Sequence, residues 1–86
     1  MPTISRFFGV VISMYYDDHS PPHFHAKYGE HRAKVAIETL EVIEGQLPRR
    51  ALALILEWAV AHRDELQDNW RRARTGQPLE SVEPLD

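Results

Sequence analysis

The sequence predicts an α+β protein: a small antiparallel sheet of three or four strands, one long C-terminal helix packed on one face, and then an extended tail. Two observations indicate this class. The first half of the chain alternates apolar and polar residues with the period of two that strands show. From Pro48 onward, apolar residues recur at three- and four-residue steps, as they do in an amphipathic helix.

The first predicted strand runs from Ile4 to Tyr16. This segment is rich in β-branched and aromatic residues and has too few polar positions for an amphipathic helix. Alternate residues of a strand share a face, so we expect the following set to form the core face: Phe8, Val10, Ile12, Met14 and Tyr16.

The next two predicted strands form a hairpin. The Pro21-Pro22 corner keeps the chain extended, and residues 23–28 then alternate in polarity. Gly29-Glu30 supplies a tight turn into a third strand over residues 31–37. The hairpin has two different faces, because Phe24, Ala26 and Tyr28 are apolar. The opposite, open face is expected to carry these polar residues: His23, His25, Lys27, Arg32 and Lys34.

A short fourth strand over residues 41–44, closed by Gly45, precedes the helix. Pro48 suits a first helical turn, and Gly76 is a typical helix end. Such a helix is about 40 Å long, whereas strands of about six residues span about 20 Å. The helix is therefore expected either to kink or to overhang the sheet.

Length and composition limit the function classes. The 86 residues fit one small domain over 1–76 and an extended acidic tail over 77–86, which serves as a strap or as a partner-binding segment. The absence of cysteine suits a reducing cytoplasm. The sequence shows neither a signal-peptide pattern nor a membrane span of about 20 apolar residues, so we expect a cytoplasmic protein that does not enter a membrane. The net charge of -3 argues against strong nonspecific binding to nucleic acid.

Residues 17–25, Asp-Asp-His-Ser-Pro-Pro-His-Phe-His, are the main candidate for chemistry. They hold three of the five histidines together with two aspartates. Histidine can bind a metal or transfer a proton near neutral pH, and a neighbouring carboxylate tunes both properties. Because Phe24 and Ala26 take the buried face, we expect that the core does not need the histidines at 23 and 25.

One interpretation of this segment is metal binding. His23 and His25 point the same way from a strand, and Glu30 or Asp18 can add a carboxylate to them. A different set, His19, His23 and His25, can hold zinc or another divalent metal. No fourth ligand stands at a diagnostic spacing, so a protein without a cofactor remains the main expectation.

A second interpretation is a small ribonuclease that uses no metal. His23 and His25 then serve as the catalytic general base and general acid, with RNA as the partner. The nearby cations form an anion-binding set that stabilises charge developing on a phosphate: Lys27, Arg32 and Lys34.

A third interpretation is a protein–protein interface on the helix. Trp58 is expected to lie in the core. If either tryptophan is exposed, however, an aromatic ring flanked by arginines is typical of a binding hot spot, which nominates Trp58, Trp70, Arg71 and Arg74. The same surface can support a homo-oligomer. His62 lies on the apolar stripe of the helix and is expected to be a packing residue.

Several motifs resemble a small prokaryotic family, domain of unknown function 4160. They are Pro-Pro-His-Phe-His at 21–25 and Leu-Pro-Arg-Arg at 47–50, together with residues 2–9, Met14-Tyr15-Tyr16, His19 and Trp70. The resemblance spans nearly the whole chain. It implies a small protein partner from domain of unknown function 2442, in a toxin–antitoxin-like pair. Leu40 departs from the family pattern, in which a turn-former such as glycine is expected.

Partner binding is the favoured function at this level, ahead of the ribonuclease and the metal-binding protein. Three features suit protein association: the net negative charge of the chain, the long helix with its tryptophans, and the apolar, acidic tail. The sequence does not identify the substrate, the partner or the oligomeric state.

Overall fold

The computed structural model describes residues 2–86 as one antiparallel sheet and two helices. The sheet has five strands in the order β1-β2-β3-β4-β5, so each strand pairs with its sequence neighbour. The elements are β1 (Thr3–Phe7), β2 (Val10–Ser13), β3 (His23–Tyr28), β4 (His31–Ala36), β5 (Val42–Gln46), α1 (Arg49–Ala61) and α2 (Arg63–Arg74). The α+β class is confirmed, whereas the prediction of three or four strands and one long helix was imprecise.

The predicted strand from Ile4 to Tyr16 is in fact a hairpin. Phe8 and Gly9 turn the chain with positive φ angles of 46° and 83°, and the turn joins β1 to β2. A two-residue hairpin turn of this kind needs positive φ at both positions, which glycine adopts freely. The long apolar run concealed this turn. As a result Phe8 is 58% exposed and Tyr16 is 46% exposed, so the prediction that both belong to the core was wrong.

The other members of the predicted core face, Val10, Ile12 and Met14, are buried as expected. The β3–β4 hairpin is also confirmed, with its turn at Gly29 and Glu30. The alternation of apolar and polar residues predicted burial correctly in these segments, because each strand has one face toward the core.

The turn between β4 and β5 contains Leu40, at a position where we expected a turn-former such as glycine. Leu40 has a φ of 61°, the left-handed conformation that glycine adopts without steric cost. Its N–H donates a 2.8 Å hydrogen bond to the carbonyl of Ala36. Leu40 therefore occupies a position suited to glycine while its side chain packs against the core.

The predicted long helix breaks at His62, where φ is −124° and ψ is 24°. A straight helix over residues 49–74 would be about 39 Å long, whereas the longest dimension of the protein is 33 Å. The break brings α2 back over the sheet. Of the two expected outcomes, the helical region therefore kinks and does not overhang the sheet. His62 packs against Trp58 at 5.6 Å between ring centroids, and its Nδ1 lies 2.6 Å from Oε1 of Glu65.

The core lies between one face of the sheet and the two helices, with Trp58 near its centre. The Trp58 side chain is fully buried. Its ring centroid lies 5.3 Å from that of Phe7 on β1 and 5.9 Å from that of Phe24 on β3. Trp58 thus ties α1 to both the edge and the centre of the sheet.

The tail is an extended strap that packs against the rest of the chain. Val82 is buried, and its N–H donates a 2.8 Å hydrogen bond to the carbonyl of Ile4. The side chain of Asn69 both donates to and accepts from the backbone of Glu80, at 2.8 Å in each case. Residues 77–86 therefore contribute to the same core as residues 2–76.

Within residues 2–86, no helix has the length and apolar character needed to cross a membrane.

Candidate functional site

The loop between β2 and β3 places Asp18 over the start of β3. There Oδ2 of Asp18 lies 2.9 Å from Nε2 of His25 and 3.4 Å from Nε2 of His23. One ring nitrogen from each histidine and a carboxylate oxygen of Asp18 all lie within 4.8 Å of one another. We call Asp18, His23 and His25 the Asp-His-His cluster.

His23 is held rigidly and is only 4% exposed. Its Nδ1 lies 2.8 Å from the carbonyl oxygen of Pro21. A carbonyl oxygen can only accept, so Nδ1 carries a proton and the neutral ring has a lone pair on Nε2. That Nε2 is buried and has no hydrogen-bond partner. The structure thus corrects the expectation that His23 is dispensable for packing.

His25 is more accessible than His23 and makes the closer contact with Asp18. Its Nε2–H is placed to donate to the Asp18 carboxylate at 2.9 Å. The ring of Tyr15 meets that of His25 edge to face, with centroids 4.5 Å apart. Asp18 and Tyr15 together orient an imidazole that still reaches solvent.

His19 does not belong to the cluster, although the sequence nominated it as a metal ligand. Its side chain is exposed, and the ligand-type group found within residues 2–86 contains Asp18 in its place. Glu30, the other carboxylate that the sequence offered, lies in the turn at the far end of β3. Asp18 is the carboxylate that the fold brings to the histidines.

A groove on the open face of the sheet begins beside His25. It has a volume of about 180 Å³ and is lined by the predicted cations Lys27, Arg32 and Lys34, with Ser13 and Tyr15 at its margin. Strand register explains the grouping, because His25 pairs with Lys34 and Lys27 pairs with Arg32 across β3 and β4. The sequence predicted this cationic face, and the structure brings those residues together. His23 is buried and does not line this groove.

A second cavity, of about 240 Å³, lies on the other side of the cluster and is lined by Asp18, His23, Lys34, Ile43 and Glu44, among others. Lys34 and Glu44 line both spaces, and their side chains form a 3.4 Å ion pair. The cluster therefore stands between two solvent-accessible cavities.

Comparison with protein families identifies the chain. The model of the family described as Domain of unknown function (DUF4160) matches residues 9–71, well over half of the chain. The chain belongs to this family. Comparisons with curated proteins and with solved structures found no match.

The DUF4160 match includes the whole Asp-His-His cluster, the cationic groove and Trp70. It leaves out β1 and the strap. In this DUF4160 protein the site, α1 and most of α2 therefore lie within the matched segment.

The tryptophans nominated for partner binding are not exposed in this DUF4160 structure. Trp58 is fully buried, and its indole N–H donates a 2.8 Å hydrogen bond to the carbonyl of Glu83 in the strap. Trp70 is 7% exposed and packs against His23. Of the nominated arginines, Arg71 pairs with Asp68 at 3.0 Å, and Arg74 lies over the Trp70 ring at 6.0 Å.

The support that Trp70 gives to the cluster was not apparent from the sequence. The two rings of Trp70 and His23 lie 5.3 Å apart, although the residues are far apart in the chain. The role of Glu44 beside Lys34 was also missed, because the two residues meet only through the register of β4 and β5. Neither feature follows from a local pattern.

Proposed function

We propose that this protein binds a divalent transition-metal ion through the Asp-His-His cluster. The observation that carries the proposal is the buried Nε2 of His23, which has no hydrogen-bond partner and faces Oδ2 of Asp18 at 3.4 Å. When the ring of His23 is neutral, its Nδ1–H donates to Pro21, and two electron-rich atoms, Nε2 of His23 and Oδ2 of Asp18, face each other. A metal cation relieves this repulsion and uses both atoms as ligands.

The spacing of the donor atoms suits a metal of this kind. With bonds of about 2.0–2.1 Å, adjacent ligand atoms lie about 3.3 Å apart in a tetrahedral site and about 2.9 Å apart in an octahedral one. The Asp18 oxygen is 3.4 Å from His23 Nε2 and 2.9 Å from His25 Nε2. The two imidazole donor atoms lie within 4.8 Å of each other, and His25 is the more exposed of the pair.

The surroundings of His23 support the same proposal. Metal-bound histidines usually donate their other ring N–H to a carbonyl or a carboxylate, which fixes the tautomer and the ring orientation. His23 does so through the 2.8 Å contact with the carbonyl of Pro21. Trp70 then covers the opposite part of the ring and limits its motion.

Two imidazoles and one carboxylate indicate zinc, iron(II) or a similar transition metal, since calcium and magnesium prefer oxygen ligands. Three protein ligands leave coordination positions for water or for a substrate. The cavities on both sides of the cluster give access to such positions.

Calorimetric titration of the metal-free protein with zinc tests the proposal. We expect one zinc per chain, and we expect Asp18→Asn and His25→Ala each to weaken binding more than about 100-fold, the upper range for loss of an outer-shell partner. His19→Ala is the matched control, because this exposed histidine lies in the same loop and outside the cluster. Equal zinc affinity in wild type and in both cluster variants would contradict the proposal.

A metal-independent ribonuclease is the second candidate, and the 2.9 Å contact between Asp18 and His25 favours it. A carboxylate that orients a histidine is a common arrangement for a general base, and the cations of the groove lie beside it. RNA cleavage that persists in EDTA and disappears in His25→Ala would support this candidate over the metal site.

Partner binding in a toxin–antitoxin-like pair stays a prediction. A partner would have to use a surface other than Trp58 and Trp70. The exposed apolar side chains of Val42 and Ile43 on the edge strand β5 are available for such a contact.

A further inference from the structure

The cationic groove has an arrangement that folding alone does not favour. Lys27 and Arg32 are directly opposite each other on β3 and β4. Like charges in this position destabilise a sheet. Within residues 2–86 neither side chain forms a salt bridge, and Lys34 alone of the groove cations is paired, with Glu44. An anion in the groove would remove the repulsion.

We infer that this groove binds a phosphate ester, and that the phosphate lies between Lys27, Arg32 and the metal held by the Asp-His-His cluster. The inference rests on the proposed metal site and names the class of ligand that the site receives. His25 connects the two parts, since it lines the groove while its Nε2 faces Asp18.

The size and lining of the groove indicate which kind of ester group is attached to the phosphate. Pockets for drug-sized ligands have volumes of about 300–1,000 Å³, whereas this groove measures about 180 Å³. It suits a phosphate with a small ester group, or one unit of a longer phosphodiester. Val11, which pairs with Lys27 across β2 and β3, supplies an apolar floor, and Tyr15 supplies an aromatic edge for the ester group.

Lys34 and Glu44 are suited to link the phosphate to the metal site. Both residues line the groove and also the cavity beside Asp18 and His23. When a phosphate enters, Lys34 can exchange its exposed partner Glu44 for the more strongly charged ligand. The groove then offers Arg32, Lys27 and Lys34 as donors around one anion.

The test uses calorimetry with phenyl phosphate and with inorganic phosphate on the full-length, zinc-loaded protein. We expect phenyl phosphate to bind more tightly than phosphate, and we expect the double variant Lys27→Gln/Arg32→Gln to weaken phenyl phosphate binding about tenfold. Arg63→Gln is the matched control, since it removes an exposed arginine at the start of α2. Equal losses in the double variant and in Arg63→Gln would overturn the inference.

A second series separates this inference from the proposed metal site. Zinc affinity is measured without phosphate, and phenyl phosphate affinity is measured again in EDTA and in Asp18→Asn. Weaker phenyl phosphate binding in both cases supports a phosphate shared with the metal. Phenyl phosphate binding that depends on Lys27 and Arg32 but is unchanged in EDTA overturns the shared site. The zinc titration then tests the proposed metal site separately.

Competition identifies the source of the phosphate. A short oligouridylate and a small sugar phosphate are each used to displace phenyl phosphate from the zinc-loaded protein. Displacement by either one at lower concentration supports the inference and assigns the groove to nucleic acid or to a small ester. Failure of both to displace phenyl phosphate overturns it.

Discussion

The ring of His23 packs against the indole of Trp70, with centroids 5.3 Å apart and planes inclined by 49°. This contact joins the start of β3 to α2. Because the carbonyl of Pro21 holds the Nδ1 side of the same ring, His23 is fixed by the loop and by the helix together. The rigidity of the Asp-His-His cluster therefore depends on a residue of the second helix.

Replacing Trp70 by alanine is expected to reduce both stability and metal binding. Loss of a buried tryptophan costs about 3–5 kcal/mol in the free energy of unfolding. Trp70→Phe keeps a ring beside His23 and is expected to retain most of the zinc affinity. Urea unfolding and zinc calorimetry check both variants, with Val60→Ala on the exposed face of α1 as the control. Zinc affinity that is the same in Trp70→Phe and in a folded Trp70→Ala would show that the indole does not position His23.

Asp18→Asn is expected to affect stability in opposite directions with and without metal. In the metal-free protein the asparagine amide can donate one N–H to the buried Nε2 of His23 and, once His25 takes its other neutral tautomer, the second N–H to Nε2 of His25, so we expect stability to rise by about 1 kcal/mol. With zinc present, wild type gains about 2.7 kcal/mol when free zinc is 100 times the dissociation constant, and the variant loses this gain. Thermal unfolding with EDTA and with zinc measures both effects. A variant that is less stable than wild type in EDTA would contradict the inferred repulsion between Asp18 and His23.

Gly45→Ala is expected to destabilise the β4–β5 pairing severely. A Cβ at this position would lie 2.2 Å from the carbonyl oxygen of Arg32, and the φ of Gly45 is 83°. Gly29→Ala is the matched control, because Gly29 also has a positive φ but has no atom within 4 Å of an added Cβ. We expect the control to cost about 1–2 kcal/mol, the price of the left-handed conformation alone, and Gly45→Ala to cost clearly more. Equal midpoints in urea would show that the backbone at Gly45 relaxes freely.

Phe8→Asn is expected to stabilise the protein. Phe8 has a φ of 46° and is largely exposed, so it bears the cost of a left-handed conformation and buries little surface. Asn-Gly is a preferred pair for this turn, and a gain of about 1 kcal/mol is expected. Phe8→Ala serves as the control, because it shortens the side chain and keeps the steric cost. Asparagine no more stable than alanine in urea unfolding would count against turn strain as the cause.

Removing the strap after Pro78 is expected to destabilise the fold and expose Trp58 to solvent. The truncation removes the buried side chain of Val82 and the Glu83 carbonyl that accepts from the Trp58 indole. We expect a lower unfolding midpoint and a red shift of tryptophan emission, with Ser81→Ala in the exposed part of the strap as the control. An unchanged emission maximum would show that other residues cover Trp58.

Parts of the candidate site were predictable from the sequence and other parts were not. The alternation in residues 23–28 and 31–36 placed His25, Lys27 and Arg32 on one face, since strand geometry sends alternate side chains to the same side. His23 obeys the same alternation but is buried, because Trp70 and the loop that carries Asp18 cover that end of the strand. Alternation assigns a face; it does not show what covers that face.

The sequence by itself determined the α+β class, the β3–β4 hairpin and the apolar stripe of the helical region, because each depends on a short-range period of the backbone. The sequence also placed Trp58 in the core. Only the tertiary structure decided the break at His62, the burial of Trp70 and the choice of Asp18 over His19 as the neighbour of the histidines. These features depend on contacts between distant segments. Several conformations of these segments are equally acceptable locally. The contacts made by the sheet, by the strap and by the loop between β2 and β3 determine which one forms.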